Sequence, residues 1–214
     1  MFSLLFSTPL IFIAWAIAFL LALSFHEASH AFVALLLGDQ TAKRMGRLTL
    51  NPVAHVDPLG LIALIAIGFG WGKPVPFNPY NLKWPKWGPV AVAFAGPISN
   101  LILAFLSAGL LAIFAPIFGC TNLLVLTLAI SAEINIVLMA FNLLPFPPLD
   151  GSKLLLAALA HPKYARVRMM IEVYGSRALL VVVLFGSLFG ISIFSGWLQG
   201  AIRLFESVIS IPCV

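Results

Sequence analysis

Residues 9–37 form an apolar run that carries three ionisable side chains close together: His26, Glu27 and His30. A helix of that length crosses a hydrocarbon core of about 30 Å. In lipid each backbone polar group needs a partner, so a continuous apolar run of this kind has to be helical. Further long apolar runs lie at residues 89–118, 122–144 and 177–194. The chain is 62% hydrophobic and 9% charged, which excludes an ordinary soluble domain. The expected fold class is an all-α polytopic membrane protein with about four transmembrane helices, read as a single membrane-embedded domain over residues 1–214.

A charge at bilayer depth costs about 3 kcal/mol, so ionisable groups there are functional candidates. The order His26-Glu27-Ala28-Ser29-His30 is His-Glu-x-x-His, the zinc metalloprotease spacing. Residues i and i+4 are neighbours on one helix face. His26 and His30 can therefore direct imidazole nitrogens at one metal ion, with the Glu27 carboxylate beside them as a base. The bland alternative is a pair of core histidines. Two histidines flanking a glutamate in lipid make it the weaker reading.

A catalytic zinc takes three protein ligands and keeps one position open. Asp57, Glu133 and Asp150 are the acidic candidates. Asp150 ends a segment with prolines at 145, 147 and 148 and is followed by Gly151, so the backbone there cannot continue a helix. Such backbone is tolerated at membrane depth only inside protein or beside water. The alternative is an aspartate capping the next helix.

Together these motifs resemble the site-2 protease family of polytopic zinc proteases. His26-Glu27-x-x-His30 stands in the first span, Gly96-Pro97-x-x-Asn100 in the second, and Asn142-x-x-Pro145 with Asp150-Gly151 after the third. The likeness covers about residues 9–195, with the motifs in the family's order. It implies one Zn²⁺ per chain held by His26, His30 and Asp150, with Glu27 as general base. It also implies Asn100 near the site, assisting the tetrahedral intermediate or packing helices through its amide. No stretch reads as a PDZ or nucleotide-sensing domain, so the resemblance is to the minimal members.

The remaining segments read as surface structure. Residues 1–8 lack a basic start, so no cleaved signal peptide is expected. Alternation around Arg47-Leu48-Thr49-Leu50 suggests a small β element. Residues 59–69 are apolar but too short to span, fitting a re-entrant or interfacial segment. Residues 71–87 hold three Trp, which settle at the headgroup level. Residues 152–176 read as a basic polar connector, and residues 197–214 as an amphipathic end on the surface. His55 and Asp57 suggest a loop-fixing hydrogen bond or a substrate-strand edge rather than a second metal. Glu133 is expected to play a structural part within the third span, and His161 to be solvated.

Lys43, Arg44, Arg47, Lys73, Lys83 and Lys86 follow the first span. Lys153, Lys163, Arg166, Arg168 and Arg177 follow the third. The positive-inside rule places both groups in the cytoplasm. The histidines and Asp150 then fall at similar depth near the cytoplasmic face of a plasma membrane. Cys120 and Cys213 fall outside, where a disulfide is compatible, and two unpaired membrane cysteines are an equal alternative. The net charge of +5 suits anionic lipid, with no nucleic acid needed.

The function expected is intramembrane hydrolysis of peptide bonds in single-pass transmembrane proteins or peptides, with the oligomeric state open. The alternatives are a metal or proton transporter using the same cluster, and a catalytically silent membrane-protein binder.

Overall fold

The computed structural model describes residues 7–67, 70–189 and 193–209. In chain order the helices are α1 (Pro9–Leu36), α2 (Thr41–Arg44), α3 (Pro58–Ile67), α4 (Gly88–Phe118), α5 (Leu123–Asn142), α6 (Gly151–Ala158), α7 (Ala165–Phe189) and α8 (Ser195–Val208). Four stretches are long and apolar enough to cross a membrane: Pro9–Leu36, Gly88–Phe118, Leu123–Asn142 and Pro162–Gly186. The chain is a multi-pass, helical membrane protein.

The start of α1 and of α4 carries a proline, where its missing N–H is harmless. Asn122 caps α5, its side chain accepting from the Leu124 N–H. What packs α1, α4 and α5 together is small side chains. Ala14, Ala18, Ala22, Ala31 and Ala34 are buried on α1, Ala93, Ala95, Ala104 and Ala108 on α4, and Ala129, Ala132 and Ala140 on α5. The large side chains Leu10, Ile13, Ile17, Leu21, Ile102 and Leu106 point outward. Lipid tails are as apolar as leucine, so helices associate in a membrane by close backbone approach, which small residues permit. Such tight contact lets residues from three helices share one buried centre.

Several expectations are corrected. Among the described residues there is no strand at Arg47–Leu50. The β feature found among them is an isolated antiparallel bridge between Val56 and Gly72. Arg47 is buried although the alternation suggested a surface strand; its backbone N–H is taken by the Ala42 carbonyl, and its side chain donates to the Lys73 and Pro74 carbonyls.

The fourth span begins earlier than residue 177. The stretch read as a connector contains α6 and the first turns of α7, where Arg168 pairs with Glu172 one turn on at 3.0 Å. α8 is amphipathic as expected, with one face exposed and the other packed on the bundle. Phe205 is buried in a cluster with Ala104, Ala108, Ala132 and Ile136, and the Trp197 indole donates to the Ala140 carbonyl at 2.8 Å. The amphipathic pattern of α8 thus buries its apolar face on α4 and α5.

α3 has the expected location of the short apolar segment. Ten residues long, it is about 15 Å and cannot span. It shares a small cleft with Phe19 and Leu23 of α1. The end of that segment at residues 68–69, the leader residues 1–6, and Cys213 with its neighbours at 210–214 lie outside the described residues. Cys120 is disulfide-bonded.

Candidate metal centre

The centre is assembled from α1, α4 and the turn that follows α5. On α1, His26 and His30 are buried on the face turned toward α4. Each ring is fixed from behind. The His26 Nδ1 meets the Asn100 Oδ1 at 2.6 Å, and the His30 Nδ1 meets the Val92 carbonyl oxygen at 2.7 Å. Both partners belong to α4. The Asn100 amide is oriented by its own donations to the Ala22 carbonyl at 3.3 Å and the Asn135 Oδ1 at 2.8 Å. Its oxygen is therefore the end that faces His26. An oxygen acceptor demands N–H at Nδ1, so each imidazole, when neutral, presents its Nε2 lone pair to the opposite side.

Asp150 stands at that opposite side. Its Oδ2 is 3.2 Å from the His26 Nε2 and 3.4 Å from the His30 Nε2. That oxygen is buried and has no hydrogen-bond partner. With both rings neutral, two imidazole lone pairs and a carboxylate oxygen facing one another repel unless a cation lies between them. The ligand atoms of His26, His30 and Asp150 all lie within 4.8 Å of one another. Zinc bonds of 2.0–2.1 Å in tetrahedral geometry separate ligands by about 3.3–3.4 Å, which the two measured distances match. The group fits one zinc ion held by three protein ligands.

Two glycines make room for this convergence. A Cβ on Gly96 of α4 would lie 2.5 Å from the His26 Cε1 and the His30 Nε2, and 2.6 Å from the His26 Nε2. A Cβ on Gly151 would lie 2.2 Å from the Leu143 carbonyl oxygen. Gly151 thus allows the chain to fold back on the end of α5 and present Asp150. Beneath it, Leu144 and Leu149 pack with Leu179 of α7.

Glu27 is buried beside the ligands. Its Oε2 accepts from the Val75 N–H at 3.0 Å, in the loop that precedes α4. Asn100 does not face open space at the centre, its amide being committed to His26, Ala22 and Asn135. The polar chain continues inward, with the Asn135 amide donating to the Ser131 carbonyl at 2.8 Å and the Ser131 and Ser107 hydroxyls 3.0 Å apart. Asn142 is apart from this chain and donates to the Leu138 carbonyl of its own helix.

The other acidic candidates are elsewhere. Glu133 is exposed on α5 and takes no part in the centre. Ile134 and Ala132, its neighbours, take the α1 and α8 contacts. Asp57 caps α3 by accepting from the Leu59 and Gly60 N–H groups. His55 fixes its loop through the Thr49 carbonyl at 2.7 Å, and His161 is exposed.

Sequence reasoning missed Asn135 as a partner of Asn100, although an asparagine inside a span was a signal. It also missed Asp39. This fully buried carboxylate accepts from the Thr41 N–H and hydroxyl, the Asn78 N–H and the Asn81 amide. It ties the end of α1 to the loop before α4. The Val92 carbonyl carries no sequence signal at all.

The fold and the centre together define a class, a multi-pass helical membrane protein with a two-histidine, one-aspartate cluster between its spans that could hold a metal ion. The comparisons narrow that class. The model of Peptidase family M50 matches residues 119–185. "Putative zinc metalloprotease YwhC" of Bacillus subtilis is 43% identical over 145 residues, covering 65% of this chain and 66% of the relative. "Putative zinc metalloprotease Rip2" of Mycolicibacterium smegmatis is 34% identical over 150 residues, covering 66% and 55%. "Putative zinc metalloprotease MJ0611" of Methanocaldococcus jannaschii is 32% identical over 157 residues, covering 72% and 76%. The chain spans a little under two thirds of YwhC and about half of Rip2. No solved structure gives a significant match. The chain belongs to peptidase family M50, the site-2 protease family.

Proposed function

We propose that this chain is an intramembrane-cleaving zinc metalloendopeptidase. The observation that carries the reading is the buried convergence of His26, His30 and the orphaned Asp150 oxygen, next in sequence to a buried glutamate on the same helix. His26, His30 and Asp150 are the zinc ligands. Bound zinc supplies Lewis acidity toward a water and a carbonyl oxygen.

The residues of the chain do the rest. Glu27 takes the proton of the attacking water and returns it to the leaving amine nitrogen. Asn100 and the Val92 carbonyl hold both imidazoles in the tautomer that leaves Nε2 free, the usual task of partners behind a metal ligand. Asn100 is thus a positioning residue for His26.

The substrate class is a single-pass transmembrane protein or peptide, because the centre is reached from spans surrounded by lipid. A helix shields its amides, so the substrate must unwind locally before cleavage. The irregular 143–150 turn, partly exposed around Pro145 and Phe146, offers a route for water. The basic loops after the first and third spans support a plasma-membrane orientation with the centre toward the cytoplasm.

The test pairs zinc content with cleavage of transmembrane peptides by purified protein in detergent. Wild type is expected to hold one zinc and cleave. Glu27→Gln should keep zinc and lose cleavage, and Asp150→Ala should lose zinc. A transporter would instead move ions without cutting peptides, and a Glu27→Gln protein that still cuts would overturn the mechanism.

A further inference from the structure

We propose that Arg47 is a positioning residue for the Glu27 carboxylate, acting through the backbone of Lys73, Pro74 and Val75. This rests on the reading of Glu27 as the base.

Arg47 follows α2 and is 6% exposed. Among the described residues no carboxylate pairs with it. A buried guanidinium without a counter-ion is costly unless its donors are used on fixed acceptors. Arg47 uses one terminal nitrogen, which donates to the Lys73 carbonyl and to the Pro74 carbonyl at 3.3 Å, while its buried Nε has no hydrogen-bond partner among the described residues. The next N–H along the chain is that of Val75, which donates to the Glu27 Oε2.

The segment is a pinned strap. The Lys73 N–H donates to the His55 carbonyl at 2.8 Å, and the Asn78 N–H to the Asp39 Oδ2 at 2.7 Å. Pro74 and Pro76 have no N–H to give. Val75 packs its side chain with Ala31 of α1, Ala42 of α2 and Leu48. Of these pins, Arg47 alone grips the two carbonyls immediately before Val75. It decides where that N–H points, and so which way the Glu27 carboxylate is turned. One oxygen is held, and the other has no hydrogen bond within the described protein. A base that must meet a water at hydrogen-bond distance gains from being held in one orientation.

The test is a double-mutant cycle on cleavage of a transmembrane peptide that wild type cuts. The single variants are Arg47→Met and Val75→Pro, the latter removing the N–H that Arg47 is argued to aim together with the side chain packed on Ala31, Ala42 and Leu48. Arg47→Lys, which keeps a donor, is the conservative rescue. Each protein is assayed for kcat, KM, zinc content and Tm.

Both single variants should lower kcat by about tenfold or more, with KM within about twofold and zinc unchanged. Arg47→Lys should recover part of the loss. The double variant should be no slower than the slower single, since both break the same link. Multiplicative losses in the double, or an Arg47→Met protein with wild-type kcat, would overturn the proposal. So would loss of zinc in step with activity in both Arg47 variants. Glu27→Gln in parallel separates the two ideas. Cleavage that survives it overturns the base assignment itself, whereas cleavage abolished by it alongside multiplicative losses overturns the Arg47 link alone.

Discussion

Replacing Gly96 by alanine adds one methyl group to α4, at the place where the two imidazoles converge. The new Cβ would stand 2.5–2.6 Å from three ring atoms of His26 and His30, where ordinary contact begins at 3.4 Å. The rings must retreat by about 1 Å. They cannot swing aside cheaply, because their Nδ1 atoms are tied to Asn100 and Val92 on the same helix that carries the methyl. Either those bonds break or α1 and α4 separate. Ligand distances in metal sites hold to within about 0.2 Å, and disturbing what orients the ligands costs about 10–100-fold in metal affinity. Zinc affinity of Gly96→Ala is therefore expected to fall by about 10–100-fold, although alanine is the better helix former by about 1 kcal/mol. The assay is competition for zinc against a chelator of known affinity, with Tm recorded alongside. Gly109→Ala is the control on the same helix, since nothing lies within 4 Å of a Cβ there, and it should bind zinc as wild type does. Wild-type zinc affinity in Gly96→Ala would refute the reasoning, because the cluster would then have room that the geometry denies it.

Two further outcomes follow from the same contacts. Asn100→Ala removes the acceptor behind His26 and should weaken zinc binding or activity by about 10–100-fold, measurable in the same chelator titration. If the loss tracks Tm and not metal affinity, Asn100 only packs helices. The Asp39 carboxyl is buried, which alone would raise its pKa, but the Thr41 hydroxyl, the Asn81 amide and the Asn78 and Thr41 N–H groups hold it below the ordinary value. A lowered value means that the ionised form stabilises the fold above about pH 4 and that this stability is lost as pH falls below it. Asp39→Asn should cost about 2 kcal/mol at neutral pH by weakening charge-assisted bonds, with the deficit shrinking in acid. A variant equally destabilised at pH 7 and pH 3 by thermal melting would contradict this.

The amino-acid sequence alone determined what is local. Apolar run length set α1, α4 and α5 as spans, because lipid forces an uninterrupted apolar segment to satisfy its backbone as a helix. The i, i+4 interval put His26 and His30 on one face, because that is a property of any helix. The same reasoning erred at Arg47–Leu50, where alternation suggested a strand, and the apolar stripe of α8 left open whether bilayer surface or protein would cover it. It also placed the start of the fourth span too late, since the arginines of α7 masked a continuous helix. The residues by themselves left Asp57, Glu133 and Asp150 as rivals for the third position, and only the resemblance chose among them. The tertiary structure brings Asp150 alone to the two histidines, sends Glu133 outward and turns Asp57 to capping. It also decides what lies behind the ligands: a backbone carbonyl at Val92, an amide at Asn100, and the strap that Arg47 holds against Glu27. Those contacts join residues many positions apart. They depend on how closely α1, α4 and α5 approach across their buried alanines and Gly96, and no periodicity within a single helix encodes that distance.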